Sequence, residues 1–300
     1  MTVCVAALAS GGDCIVCVAD KALSYGEYLQ WDSDVTKIIP LKSGKGVMMI
    51  SGGENSSRVV NALRDIQKLG SNISETISKI ESAYQTVYDE ILEIKFIKQN
   101  GLTRDSYLSA VTGLQINRHI EHISEEIEGF DLDVHVLICG HDDTRSPFLL
   151  AVKSPGKVVD VSREGFHAIG SGFDHALARL LMHDHKRTHG FAETLYECFD
   201  AKAHSEMASG VGFEWDAYFV VARSGQGSGV VAVDEEVKPL LDRVWTKANR
   251  TPYYKRKKDD LPNPPRDWKL QFHRIVAKSL KQVGIASSEG HVEVVENHEV

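Results

Sequence analysis

TVCVAALASGGDCIVCVAD, residues 2–20, is two apolar runs, Thr2 to Ala9 and Cys14 to Asp20, around the turn Ser10-Gly11-Gly12-Asp13. Apolar runs of strand length on either side of a short, glycine-containing polar turn predict a β-hairpin. The first strand therefore starts at the head of the chain. After a polar stretch holding Trp31, Asp32 and Asp34, a second pair of strands is expected at Lys37 to Leu41 and Gly46 to Ser51. Gly52-Gly53 closes that pair, and a helix follows from about Glu54 to Leu69. In it Val59, Val60, Leu63, Ile66 and Leu69 share one face.

The helical period continues from Ser74 to about Gln99 through Ile77, Ile80, Ala83, Val87, Ile91 and Ile94, with Ser74 and Thr76 as capping hydroxyls. Gly101 to Gly129 is less periodic and more charged, and reads as an inserted helical or loop segment. Strands return at His135 to Cys139, Phe148 to Lys153, Lys157 to Ser162 and Phe166 to Ile169. Helices follow near Asp174 to Asp184 and from Phe191 to about Glu206, then strands at Ala217 to Ala222 and Gly229 to Val233. Strands, two helices, strands, two helices, strands is an α+β order. It suits a four-layer αββα sandwich of two antiparallel sheets, each covered on its outer face by a helix pair. A doubly wound fold would instead alternate strand and helix singly.

Residues 1–235 make one domain, with 101–129 as its insert. From 236 to 300 the chain reads as a linker, an amphipathic helix from about Arg266 to Val283 and a mobile tail. The formal charge of −8 gives no general reason for a nucleic-acid partner. The basic run Lys255 to Lys258 is followed at once by Asp259 and Asp260, as in a solvated linker. No apolar stretch approaches the ~18 residues of a membrane helix, and the head lacks a signal peptide's pattern. A cytoplasmic location is expected. The five cysteines are odd in number and lie in apolar runs, as reduced core residues do. His183, His185 and His189 fall close together, but positions two apart on a helix do not face one another. They read as helix C-terminal charge rather than as a metal site. No metal and no cofactor are expected.

The chemistry-bearing residues stand at element ends. A nucleophile at the first residue of a mature chain has its own general base, because a free α-amino group titrates near pH 8. Thr2 becomes such a residue if Met1 is removed. Asp20 ends the second strand, and Lys37 opens the third. A lysine beside the hydroxyl would lower its pKa, and an aspartate bonded to that lysine would hold the ammonium in place. Ser51-Gly52-Gly53 and Gly170-Ser171-Gly172 are strand-to-helix turns, where free N–H groups can meet an anion. Glu206-Met207-Ala208-Ser209-Gly210 ends the last long helix.

Taken together, the pieces TVCVAA followed by VADK, TKII, ISGG, VLICGHD, AIGSGF and EMASG resemble the proteasome β-type peptidases and their bacterial ring-forming relatives, within the N-terminal nucleophile hydrolases. The resemblance runs from Thr2 to about Gly225. It implies that Thr2 is the nucleophile and its amine the base, that Asp20 and Lys37 complete the activating set, and that Gly52 supplies the oxyanion N–H. It implies further that Ser171, Glu206 and Ser209 support the amino terminus. Ser24 would pair with extended peptide, while Val35, Ile39 and Ile50 line the first substrate pocket with Glu54 near its rim. An apolar pocket suggests cleavage after apolar residues, and Glu54 after basic ones. Partners implied are peptide or unfolded protein, further copies of the chain in a ring or open spiral, and an ATP-dependent unfoldase. The chain departs from the family's pattern at Glu206, where an aspartate is usual, at Glu54, where a small residue is usual, and in its length. A non-catalytic subunit of the same fold and a small-molecule amidohydrolase are the rival readings.

Overall fold

The computed structural model describes residues 2–25, 29–32, 36–64, 72–113, 117–208, 210–223 and 227–249. The expected hairpin at the head forms from β1 (Cys4–Ala9) and β2 (Cys14–Asp20), paired antiparallel with Cys4 opposite Ala19 and Ala9 opposite Cys14. Where a polar loop was expected, a second hairpin stands, β3 (Ala22–Tyr25) with β4 (Leu29–Asp32). Next come β5 (Ile38–Pro40), β6 (Gly46–Gly52), α1 (Ser56–Arg64) and α2 (Ile73–Leu92), the last running on as a π-helical turn over Glu93–Ile97. Asn72, not Ser74 or Thr76, caps α2, its side-chain oxygen accepting from Glu75 N at 2.9 Å. An Asx side chain one residue before the helix reaches the orphan N–H groups, which hydroxyls inside the first turn cannot do as well.

The insert is helical: α3 (Arg104–Thr112) and α4 (Arg118–Glu128). Thr103 and Ser106 close a capping box at the start of α3, and Asn117 caps α4, so each short helix has its own start signal. Then follow β7 (Val134–His141), β8 (Pro147–Lys153), β9 (Lys157–Asp160), β10 (Phe166–Ile169), α5 (Phe173–Met182) and α6 (Phe191–Ser205). The described chain ends with β11 (Trp215–Arg223), β12 (Gly227–Ala232) and a helix absent from the sequence reading, α7 (Lys238–Asn249). The helix expected from Arg266 and the basic run at Lys255 lie outside the described residues.

The first sheet has the order β10-β1-β2-β11-β12 and the second β5-β6-β7-β8-β9, all neighbours antiparallel. Strand alternation sorts the side chains into three apolar layers. Cys4, Ala6, Leu8, Ile15 and Cys17 meet Val47, Met49, Leu137, Cys139 and Leu149 between the sheets. On the other face of the first sheet, Val3, Val5, Ala7, Val16 and Val18 pack under α5, α6 and α7. Met48, Ile50, Val136 and Ile138 lie under α1 and α2. This is the expected four-layer sandwich. Cys14 and Cys17, three apart on one strand, fall in different layers, so the C-x-x-C pattern does not converge. All five cysteines are free and buried.

Helix α6 is buried on most of its surface, charged residues included. Its Asp200 is fully buried and sits between Arg179 Nε, His183 Nε2 at 2.6 Å and the indole N–H of Trp245 at 2.7 Å. That indole, with Val237 and Leu241, docks α7 onto the apolar layer on the outer face of the first sheet. Burial pushes the Asp200 carboxyl up, but the hydrogen bonds and charges of His183 and Arg179 outweigh it and hold the pKa down at about 2. A carboxylate depressed in the fold stabilises above its unfolded value of roughly 4, and that stability is lost as pH falls towards 2. Asp200→Asn is therefore expected to lower stability at pH 7 by about 3 kcal/mol, because Arg179 loses its buried counter-charge and His183 its acceptor. Urea titrations should show the gap between the two proteins narrowing as pH falls from 4 to 2.

Candidate active site

Antiparallel pairing at the open end of the first hairpin places the last residue of β2 beside the head of the chain: Asp20 N donates to Val3 O at 3.1 Å. The Asp20 side chain is fully buried, and each of its oxygens accepts three hydrogen bonds. Oδ1 accepts from Thr2 Oγ1 at 2.9 Å, Val3 N at 2.8 Å and Lys37 Nζ at 3.0 Å. Oδ2 accepts from Lys37 Nζ at 3.0 Å, Ala22 N at 3.1 Å and Gly212 N at 3.2 Å. Every one of these neighbours donates, so the carboxylate is satisfied on all sides without water.

Lys37 reaches it from the other sheet. It stands just before β5, and its carbonyl accepts from Ile50 N on β6 at 3.3 Å. The ammonium is nearly buried. Thr2, Asp20 and Lys37 thus form one chain of contacts across the two sheets, with the Thr2 hydroxyl at its end. Cys4, the other nucleophilic side chain nearby, is fully buried, and burial pushes its thiol up, so it stays neutral.

The main chain of Thr2 is fixed from the β10-to-α5 turn. Thr2 N donates to Ser171 Oγ at 3.2 Å, and Thr2 O accepts from Ser171 Oγ at 3.4 Å and from Gly172 N at 3.3 Å. Gly170 has φ of +96°, and a Cβ there would lie 2.2 Å from Thr2 O. Only glycine lets the turn come this close. Ser205 Oγ, in α6, lies 3.0 Å from Gly172 O and so braces the turn from behind. Neither Ser205 nor Gly212 was found from sequence. Ser205 directly precedes the Glu206 motif and Gly212 follows it by two, but nothing in their spacing points back to Thr2 or Asp20.

Gly52 closes β6 with φ of +140°, and a Cβ there would meet Asp133 O at 2.1 Å. Its exposed backbone stands one residue after buried Ser51 and two after Ile50, the strand neighbour of Lys37. Glu206 is engaged elsewhere: its carboxylate takes the fully buried Lys202 ammonium at 2.7 Å, which also donates to Phe213 O. Ile39 and Ile50 pack with Leu41, Met48, Val59 and Leu63 in the layer under α1. Glu54 is exposed and lines a cleft with Asn55, Arg58, Ile91 and Lys95. Ser24 lies on β3 opposite Gln30, and Val35, Ser209 and the Ser24 side chain fall outside what is described.

No protein-family profile matches the chain, and no curated protein sequence does. Solved structures match in fold. The Anbu (Gly-1) mutant from Hyphomicrobium sp. strain MC1 superposes with a TM-score of 0.56 at 14% identity, over 86% of this chain and 98% of that one. Eukaryotic HslV from Trypanosoma brucei gives 0.45 at 15% identity, over 73% and 98%. Thiobacillus denitrificans BPH, solved in complex with epoxomicin, gives 0.47 at 13% identity, over 74% and 100%. The likeness to Anbu is one of fold, and it is the proteasome-like sandwich that the motifs led us to expect.

Two substitutions test the scaffold of the site. Gly170→Ala should lower stability by about 2–3 kcal/mol, since both the left-handed φ and the contact with Thr2 O oppose a Cβ. Glu206→Ala should cost about 1–2 kcal/mol by removing the hydrogen-bonded carboxylate from the buried Lys202 ammonium. Chemical unfolding of each variant at pH 7 measures both.

Proposed function

We propose that this protein is a threonine-type peptidase whose nucleophile is the Thr2 hydroxyl, with the α-amino group freed by removal of Met1 as its base. The observation that carries the reading is the Thr2–Asp20–Lys37 contact chain, with Thr2 Oγ1 at 2.9 Å from a carboxylate that a buried ammonium neutralises. The nearby positive charge favours the alkoxide character that develops as Oγ1 attacks. Ser171 Oγ, which accepts from Thr2 N, would keep the freed amine within reach of its own hydroxyl.

In the reaction, the amine takes the Oγ1 proton as Oγ1 bonds to the peptide carbonyl carbon, and the carbonyl oxygen becomes the oxyanion. The N–H of Gly52 stabilises that oxyanion. Collapse breaks the C–N bond, the ammonium returns its proton to the leaving amine, and an ester remains on Thr2. Water, deprotonated by the same amine, then hydrolyses the ester. No cofactor takes part. Glu206, paired with Lys202, acts through the packing of the α6 end, and Ser209 supports the amino terminus. Ile39, Ile50 and Val35 would form an apolar first pocket, with Ser24 pairing to the substrate backbone. Glu54 shares its cleft with Arg58 and Lys95, which weakens it as a selector of basic residues and favours cleavage after apolar ones. The working form is a homo-oligomer, ring or spiral, in the cytoplasm, acting on peptide or unfolded protein and fed by an ATP-dependent unfoldase.

Intact mass of the purified protein, before and after a threonine-directed lactone inhibitor, tests the reading. The expected result is loss of the Met1 mass and a single adduct that Thr2→Ala abolishes. A retained Met1 with no adduct would overturn it.

A further inference from the structure

The connection between α5 and α6 holds a second cluster of ionisable side chains, which the reaction above does not use. His185 and His189 lie in this connection, and both turn to Glu197, in the second turn of α6. His185 Nδ1 is 2.6 Å from Glu197 Oε2, and His189 Nδ1 is 3.0 Å from Oε1. His183, which the sequence groups with them, instead pairs with Asp200. The partner that makes a three-residue set is therefore Glu197, which the spacing of the histidines does not reveal.

The other nitrogen of His185 decides what the set can hold. His185 Nε2 lies 3.1 Å from the carbonyl of Leu8 on β1. A carbonyl only accepts, so Nε2 carries a hydrogen, and in the neutral ring Nδ1 then presents a lone pair. That lone pair faces a carboxylate oxygen, which offers only lone pairs too. A proton, carried by either partner, or a metal ion has to lie between them. A backbone carbonyl that holds the far N–H of an imidazole is also the usual support of a metal-bound histidine, because it sets the tautomer and the ring direction.

We propose that His185, His189 and Glu197 form a binding site for a zinc-class divalent ion. One donor atom from each residue lies within 4.8 Å of the others. Tetrahedral zinc on N and O donors holds neighbouring donor atoms about 3.3 Å apart, so the two short contacts of 2.6 and 3.0 Å need to open by less than about 1 Å and the widest separation to close by at most about 1.5 Å. Two imidazoles and a carboxylate suit zinc and its neighbours better than the oxygen-seeking calcium or magnesium. His185 and Glu197 are buried while His189 is partly exposed, which leaves the fourth coordination position on the His189 side for water.

The ion would act as a clasp. Ser10 N donates to His189 O at 2.8 Å, Gly11 N to Arg187 O at 2.8 Å, and Arg187 to Gly11 O at 3.1 Å. The connection is thus already laced to the turn between β1 and β2, at the opposite end of that hairpin from Asp20. Binding would lock α5, α6 and this turn together without touching Thr2.

The test uses the full chain, freed of metal with a chelator, and Zn2+ and Co2+ as probes. The chain has 13 histidines, so the comparison with variants decides. One equivalent of Zn2+ should bind, raise Tm, and be weakened at least about tenfold by His189→Ala and by Glu197→Gln. Co2+ should give the intense visible absorption of a four-coordinate site. Should His189→Ala fail to fold, Glu197→Gln and the Co2+ spectrum of the parent carry the test. Zn2+ binding equal in parent and variants, or no Zn2+-dependent rise in Tm and no four-coordinate Co2+ spectrum, overturns the proposal. The cluster would then be an imidazolium–carboxylate pair.

Discussion

A single buried ion pair, Asp20 with Lys37, joins the two sheets at the end of the sandwich where the chain begins. The carboxylate belongs to β2 in one sheet, and the ammonium to the residue just before β5 of the other. Taking either charge out of water is costly unless the other stands beside it. The pair therefore constrains how far the sheets can slide or part at this end. It also organises what surrounds it: the hydroxyl of Thr2, the amide of Val3, the return of the chain at Ala22 and the arrival of Gly212 all meet the same two oxygens. Geometry at Thr2 is in this sense a property of the interface between sheets and not of the terminal residues alone.

The layers were legible because strand alternation and helical spacing are written in adjacent residues. Val3, Val5 and Ala7 on one side, and Cys4, Ala6 and Leu8 on the other, divide between two apolar layers as period two requires. The surroundings of Thr2 were also partly legible, since its partners Asp20 and Ser171, and Lys37 behind Asp20, fall at the ends of elements whose order fits a resemblance. What the sequence hid depends on the third dimension. Ser205 and Gly212 reach the turn and the carboxylate by hydrogen bonds from 33 and 192 residues away. Helix α7 falls in the stretch that composition marks as a linker, and what holds it to the domain, the indole of Trp245 donating to Asp200 on α6, comes from a residue 45 positions away. Glu206 stands where the resemblance expects an aspartate, and its carboxylate meets Lys202, one turn back on α6.

Helix α6 shows how charge can be buried without disorder. Asp200, Glu197 and Lys202 lie on a helix with little exposed surface, and each has opposite charge or several donors within hydrogen-bond distance. Each of these partners comes from a different direction: the end of α5, the connection after it, and the end of α6 itself. Such pairs fix the rotation of the helix about its axis more sharply than an apolar face would, because a turn of a few tens of degrees leaves charges unmatched in a dry interior.

The slot around Thr2, with Gly170 against its carbonyl and Ser171 at its nitrogen, has a consequence for the order of assembly. Thr2 and its Ser171 partner are 169 residues apart in the chain, and Asp20 and Gly212 are 192 apart. During synthesis the head of the chain emerges first and waits for most of the domain before these partners exist. The first part made is thus among the last to be placed. A nascent chain stalled before its second helical layer carries Thr2, Asp20 and Lys37 but not the α5 and α6 packing that holds the turn at Thr2 in place, so any reactivity of that residue is tied to completion of the fold.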